Sequence, residues 1–202
     1  MRRTCSLLLA FVALLAFSPG SARADIVIEG GDAYTTAVND CLAMINGVGG
    51  MPADILKCLE TSGKDHVIKK NRGPSSNSPH NSKDATVPAA GGNGTGSGST
   101  TQWDPNHQLV YSDGVKRDPC AALFHELVHA KDNDTGMRDP RTDLPGNNGI
   151  KAAEVKATGT ENKYRKAKGL PLRKKYGDKD LPASAIPSAM EHEEEGGGIH
   201  EN

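Results

Sequence analysis

The residues best suited to chemistry lie in one short stretch, His125-Glu126-Leu127-Val128-His129. Two histidines four residues apart share one face of a helix, so both imidazoles can reach the same metal ion. A glutamate directly after the first histidine can face the open position of that metal and take a proton from water, as in zinc peptidases. The competing interpretation is an ordinary amphipathic helix that carries two histidines by chance.

The sequence around this stretch predicts the helix that would position it. Asp118 is a suitable N-cap and Pro119 a suitable first-turn residue, which predicts a helix from about Pro119 to about Lys131. Leu127 and Val128 are apolar and would face the core, so the opposite face of the helix is free to present the histidines.

A second helix, predicted over residues 151–168, offers a third metal ligand. Spacings of four, three and four place four of its residues on one face: Glu154, Thr158, Glu161 and Arg165. Such a face is solvated in many helices, with Glu161 and Arg165 as an ion pair. Catalytic zinc, however, commonly takes three protein ligands, and a carboxylate from a second helix is one known solution. A third histidine or aspartate close after His129 is absent, because Thr135 stands there.

Four ordered motifs resemble the effector-type zinc metallopeptidases typified by NleD, and more distantly the clostridial neurotoxin light chains. The likeness extends over roughly Gln102–Gly177, and its motifs are His125–Ala130, Glu154–Gly159, Glu161–Arg165 and Gly169–Tyr176.

The resemblance implies a zincin-like fold of the glutamate-ligand type. It implies zinc held by His125, His129 and Glu154. Glu161, two helical turns along the same face, is the rival ligand. The resemblance further implies Glu126 as general base, and Arg173 and Tyr176 as stabilisers of the transition-state oxyanion. Without the resemblance, Arg173 and Tyr176 would be interpreted as part of a basic surface stretch.

The sequence departs from the family pattern at two points. A second acid often precedes the ligand glutamate, but here that residue is Ala153, so any orienting role of that acid is missing. The known effectors are injected into host cells without a cleaved signal, whereas residues 1–24 have the charged start, apolar run and Ala22-Arg23-Ala24 ending of a secretory signal peptide. We therefore expect a secreted or periplasmic protein.

The net charge and the apolar content argue against nucleic acid and membranes as partners. Loss of Arg2, Arg3 and Arg23 with the signal peptide lowers the basic residues from 24 to 21 against 25 acidic ones, so the net charge changes from −1 to −4. A mildly acidic protein has no bulk electrostatic attraction for nucleic acid. After removal of the signal, no remaining stretch is apolar enough to enter a membrane.

We expect one α+β domain over residues 25–180. Its predicted elements are helices at about Tyr34–Ile45 and Ala53–Leu59, a strand at His66–Lys69, and strands at Thr100–Trp103 and Gln108–Tyr111. The predicted helix that carries His125 and His129 is called the metal helix. The strand that precedes it is expected to bind a substrate peptide at its edge. Trp103 is expected to be a core or hairpin residue. Residues 71–101, rich in Gly, Ser, Asn and Pro, predict a long flexible loop too polar to pack, and residues 181–202 predict a disordered acidic tail.

Three cysteines remain after residue 24: Cys41, Cys58 and Cys120. An exported protein can form one disulfide among them, with three possible pairings and one thiol left over. A Cys41–Cys58 bridge would close a helical hairpin, and a Cys120 thiolate that blocks the metal is a further possibility.

These observations together predict a monomeric, exported zinc metalloendopeptidase that hydrolyses protein or peptide substrates. The alternatives are a non-catalytic, zinc-stabilised binding module and a metal-dependent amidase acting on cell-wall peptides.

Overall fold

Residues 26–187 are described by a computed structural model, in which helices and strands are mixed as expected for an α+β domain. The helices are α1 (Asp32–Asn46), α2 (Gly50–Thr61), α3 (Ser82–Ala85), α4 (Pro119–Asp134) and α5 (Ala152–Ala167). The strands are β1 (Ile26–Glu29), β2 (His66–Lys70), β3 (Ser76–Pro79), β4 (Ser99–Trp103), β5 (Lys175–Tyr176) and β6 (Lys179–Asp180). Short 3₁₀ turns follow at Pro88–Ala90 and Ala183–Ala185.

The main sheet has the strand order β1-β2-β4-β3. The pairs β1–β2 and β2–β4 are parallel, and β3 runs antiparallel to β4 at the edge. Strand β4 is therefore internal, which corrects the expectation that the strand before the metal helix offers a free edge. The predicted strand Gln108–Tyr111 is also wrong, because only an isolated bridge joins Val110 to Lys116.

Helix α4 lies at the centre of the molecule, packed between the sheet and the helices α1, α2 and α5. Most of its side chains are buried, including Leu123, Phe124 and Leu127. Trp103, at the end of β4, is fully buried, as expected, and its indole N–H donates to the carbonyl of Pro119 at 3.0 Å. The end of a sheet strand thus fixes the first turn of the metal helix.

Residues 71–101 are not the structureless loop that their composition predicts. They supply β3, α3 and a 3₁₀ turn, and they pack against the end of α4. The glycines are needed for this packing, since Gly96 has φ +85° and a Cβ there would collide with the carbonyl of Asp134. The backbones of Gly94 and Gly136 approach each other in the same way. Close backbone contact, rather than flexibility, accounts for glycine at these positions.

A disulfide joins Cys41 of α1 to Cys120 of α4 across 79 residues, and Cys58 is a free thiol. Of the three pairings that the sequence left open, the structure therefore has Cys41–Cys120, which excludes both a bridge within the helical hairpin and a Cys120 thiolate that blocks the metal. The observed bridge anchors the first turn of the metal helix to α1. In the chain-entropy model, closing so long a loop contributes roughly 4 kcal/mol.

The chain remains ordered beyond residue 180, where a disordered tail was expected. Leu181 is buried, and the carbonyl of Ala185 accepts a hydrogen bond from the Asn162 side chain at 2.9 Å. Gly159 permits this close packing, because a Cβ at that position would lie only 3.1 Å from the Cα of Ala185. The predicted signal peptide at 1–24 and the remainder of the predicted tail, 188–202, lie outside the described residues. Within residues 26–187, no helix has the length and apolarity needed to cross a membrane.

Candidate metal centre

Helix α4 begins as predicted and ends one turn later. The Asp118 carboxylate accepts the backbone N–H of Ala121 at 2.8 Å, so it caps the helix ahead of Pro119. The last turn extends to Asp134, and its buried aspartates are paired with basic side chains. Asp132 pairs with Lys156 at 2.6 Å, and Asp134 contacts His66 at 3.2 Å.

Three donor atoms from α4 and α5 converge on one point. The Nε2 atoms of His125 and His129 are 3.2 Å apart, and Glu154 Oε2 lies 3.3 Å and 3.2 Å from them, respectively. These three residues form the only group of potential ligands of this kind among residues 26–187. The structure thus brings together the three residues predicted from the sequence to be metal ligands.

Glu161 lies behind His125 rather than beside the other donors. Its Oε2 is 3.1 Å from His125 Nδ1, the nitrogen that faces away from Glu154. If Nδ1 carries the proton and donates it to Glu161, the lone pair of Nε2 is directed toward the site. Glu161 therefore has the position of a residue that orients a ligand. Ala153 is buried nearby and has no charge with which to do so.

Two arginines hold Glu161 from the opposite side. Arg165 Nε donates to Oε1 at 2.6 Å, and Arg173 Nη1 donates to Oε2 at 2.8 Å. Glu161 is fully buried, and the side chains of Arg165 and Arg173 are 1% and 6% exposed. Arg173 also lies 3.9 Å from the ring centroid of Tyr111. We call Glu161, Arg165 and Arg173 the buried ionic layer.

Burial and charge act against each other on the pKa values of the site. Burial lowers the pKa of His125, but the Glu154 and Glu161 carboxylates outweigh it and raise the value to about 10. Burial raises the pKa of Glu161, yet His125 and the two arginines bring it down to about 2. Burial also raises the pKa of Glu154, while both histidines lower it far below its ordinary range. The carboxylates of Glu154 and Glu161 thus strongly favour a positive charge at the position between them.

Glu126 faces the cleft where two cavities meet. One cavity of about 220 Å³ lies along His129 and Glu154, and another of about 160 Å³ lies along Tyr111 and Arg173. Four residues border both cavities: Ser75, His125, Glu126 and Tyr176. Burial raises the pKa of Glu126, although the two histidines partly offset this.

Tyr176 and Arg173 have different surroundings. Tyr176, in β5, borders both cavities and lines the first one together with Glu154; burial and the Glu154 carboxylate raise the pKa of its hydroxyl. Arg173 borders only the second cavity and is held by Glu161. Neither is part of a basic surface stretch, since Arg173 is 5% exposed and Tyr176 is partly buried.

Sequence reasoning missed several residues that border the first cavity. Asn133 follows His129 at the same spacing of four, so the helical period could have identified it. Its side-chain amide donates to Asn77 of β3 at 2.6 Å. Arg138 and Lys151 also line this cavity. They come from connecting segments, where no periodic pattern signals the direction of a side chain.

Comparison with known proteins agrees with this geometry. The model of the Peptidase_M91 family, described as "Effector protein", matches residues 22–176. No curated protein matches the sequence. The family match extends over His125–His129, over α4 and α5, and as far as Tyr176, and it supports protease activity on a protein substrate. The chain therefore belongs to the Peptidase_M91 family of effector peptidases.

Proposed function

We propose that the protein is a zinc metalloendopeptidase of zincin-like architecture, with His125, His129 and Glu154 as zinc ligands. The observation that carries the proposal is the triangle of donor atoms in the cleft, with Glu126 beside it. Two nitrogens and one carboxylate oxygen form a ligand set that is well known for catalytic zinc.

The spacing of the donors fits one small metal ion. Ligands bound at 2.0–2.2 Å with tetrahedral angles would be separated by about 3.4 Å. The three donor–donor distances are 3.2–3.3 Å. Only three protein donors meet here among the described residues, whereas structural zinc sites are usually closed by four. This favours a catalytic centre over the alternative of a zinc-stabilised binding module.

Zinc held by these residues would supply a Lewis acid that polarises the peptide carbonyl and lowers the pKa of water. Glu126 would take the proton from the attacking water and pass it to the leaving amine. The Tyr176 hydroxyl, which lies in the cleft with Glu154, would donate a hydrogen bond to the developing oxyanion. Arg173, whose Nη1 is held by Glu161, would support the same charge from the second cavity.

The edge of the sheet provides a place for the substrate backbone. Strand β3 pairs with β4 on one side only, and Ser76 and Asn77 of β3 border the cleft. A peptide laid along the free edge of β3 would gain backbone hydrogen bonds while its scissile bond lies near Glu126. Arg117 steadies this region by donating to the hydroxyl of Ser75 at 3.1 Å.

The disulfide supports export as part of the same proposal. A Cys41–Cys120 bridge persists in oxidising compartments and is rare in the cytosol of most cells. We accordingly propose a secreted or periplasmic enzyme that acts as a monomer.

Cleavage of a denatured protein mixture by the zinc-loaded protein tests this function, with new termini identified by mass spectrometry. The control is Glu126→Gln, which removes the base and retains the ligands. We expect new termini with the wild type, none with the variant or after chelation, and equal zinc content in both proteins. An inactive wild type that binds zinc normally would support the binding module instead. Activity on cell-wall peptides but not on the protein mixture would support an amidase.

A further inference from the structure

We propose that the first cavity binds a carboxylate of the substrate through Arg138 and Lys151. The inference rests on the proposed peptidase function and narrows its substrates to peptides with an acidic group close to the scissile bond.

Arg138 and Lys151 are both held by hydrogen bonds of their backbone, which leaves their charged side chains available to a substrate. The N–H of Arg138 donates to the carbonyl of Ala85 at 3.1 Å, and its own carbonyl accepts from Val87 at 3.0 Å. Lys151 caps α5, since its carbonyl accepts the N–H of Glu154 at 2.9 Å. Neither side chain has an ion pair or a hydrogen bond with any other residue in 26–187, yet both line the cavity beside the ligand triangle.

Charge balance in this cavity favours an anion. Its other charged side chains are Glu126 and Glu154, which the two cations neutralise. With neutral imidazoles, a divalent ion at the triangle would leave a surplus of two positive charges. A substrate carboxylate would offset part of that surplus, whereas a neutral side chain would not.

The second cavity differs, although it too contains arginines. Arg117 donates to two backbone carbonyls and to the Ser75 hydroxyl, and Arg173 is bound to Glu161. The rest of the wall includes the apolar residues Pro74, Leu109 and Ala122 and has no further cation with a free side chain among the described residues. Its cations are engaged in holding the protein together, so carboxylate selection is assigned to the first cavity.

Matched peptides test the inference. One set of short, terminally blocked peptides carries a single Glu that is moved along a neutral sequence, and a second set carries Gln at the same positions. Unblocked peptides with a free C-terminus distinguish a terminal carboxylate from an acidic side chain. We expect kcat/KM to be about tenfold higher for the acidic member of a pair at one position near the cleaved bond, as befits a charge-assisted contact in a partly exposed site.

The double variant Arg138→Met/Lys151→Met should lose this preference while still cleaving the neutral peptides. Lys163→Met, an exposed lysine of α5 that borders none of the cavities described, should retain it. Equal cleavage of both members of every pair, or a preference that survives in the double variant, would overturn the inference.

Binding to zinc-loaded Glu126→Gln keeps the two proposals separate. If no peptide is cleaved by the wild type, the peptidase function fails, but binding still tests carboxylate recognition. Acidic peptides should then bind about tenfold more tightly than neutral ones, and less so as salt is added. Equal binding of acidic and neutral peptides would contradict the inference independently of catalysis.

Discussion

The two glutamates on one face of α5 have contrasting environments. Glu154 is 19% exposed, borders the cleft and faces the Nε2 atoms of both histidines. Glu161, two turns later, is fully buried and faces the opposite nitrogen of His125. The residue type and helical face are the same, so the difference arises from what packs around each carboxylate. Arg165 and Arg173 surround Glu161, whereas open space and Tyr176 adjoin Glu154.

This contrast separates two requirements of a metal site. A ligand must stay accessible to the ion, while the residue that fixes the ligand benefits from burial, because low mobility holds the imidazole in one orientation. A buried carboxylate is tolerated only with compensating charge, which the two arginines provide. The buried ionic layer therefore contributes to the site without bordering the first cavity.

The largest effect that we predict from this difference between Glu154 and Glu161 is on the stability of the folded protein. In metal-free protein, Glu161→Gln should lower the free energy of unfolding by about 3–5 kcal/mol, because two buried guanidinium groups lose their counter-charge. Urea denaturation measures this change. The matched substitution Glu154→Gln, on the same helix, should cost less, because Glu154 is partly exposed to the cleft and pairs with no arginine. Equal losses in the two variants would refute the distinction.

On the exposed side of the site, substitution of Tyr176 should affect catalysis rather than folding. Tyr176→Phe should lower kcat by about 10²–10³ and leave KM nearly unchanged, because the hydroxyl would act mainly in the transition state. Zinc content and melting temperature should stay close to those of the wild type. Full activity would show that the hydroxyl takes no part, and loss of zinc would show that it supports the ligands instead.

Zinc should stabilise the folded protein through Glu154 and the two histidines. At a free zinc concentration one hundred times the Kd, the free energy of unfolding should rise by about 2.7 kcal/mol. Chelation should reverse the gain, and His129→Ala should abolish it. Calorimetry with and without zinc measures the shift, and an equal gain in His129→Ala would place the ion elsewhere.

A smaller effect concerns Asp113, which holds the segment that carries Tyr176. Its carboxylate accepts the N–H groups of Lys174 and Lys175 at 2.6 Å and 3.1 Å. Burial raises the pKa of Asp113, but these hydrogen bonds and one from Val115 lower it below its ordinary value.

Because the pKa of Asp113 is lower in the folded protein, its contribution to stability is present above the pKa of the unfolded chain, about 3.9. The contribution is lost as the pH falls through the folded value. Asp113→Asn should cost about 1 kcal/mol at pH 7 and much less below pH 3. A pH-independent loss would indicate that charge on Asp113 is unimportant.

The sequence predicted the helical part of the site well, because its signals are local. Asp118, Pro119 and the spacing of His125 and His129 depend on neighbouring residues alone. Strand β3 could not be predicted in this way. Its residues, Ser76–Pro79, have no alternation of apolar and polar side chains, and their extended form depends on pairing with β4.

Two further features could not be predicted from the sequence, and for the same reason: the pairing of Cys120 and the difference between Glu154 and Glu161. Each depends on which distant residues are brought near by the fold. Helical spacing places both glutamates on one face, but it cannot reveal that Arg173, twelve residues beyond Glu161, packs against only one of them.

Zinc affinity of the paired variants tests the central claim most directly. Competition with a fluorescent chelator would give the Kd of the wild type, Glu154→Gln and Glu161→Gln at one pH. If Glu154 is the third ligand and Glu161 orients His125, Glu154→Gln should bind zinc far more weakly than the wild type, and Glu161→Gln should lose only about 10–100-fold. Retention of zinc by Glu154→Gln together with its loss from Glu161→Gln would contradict the assignment.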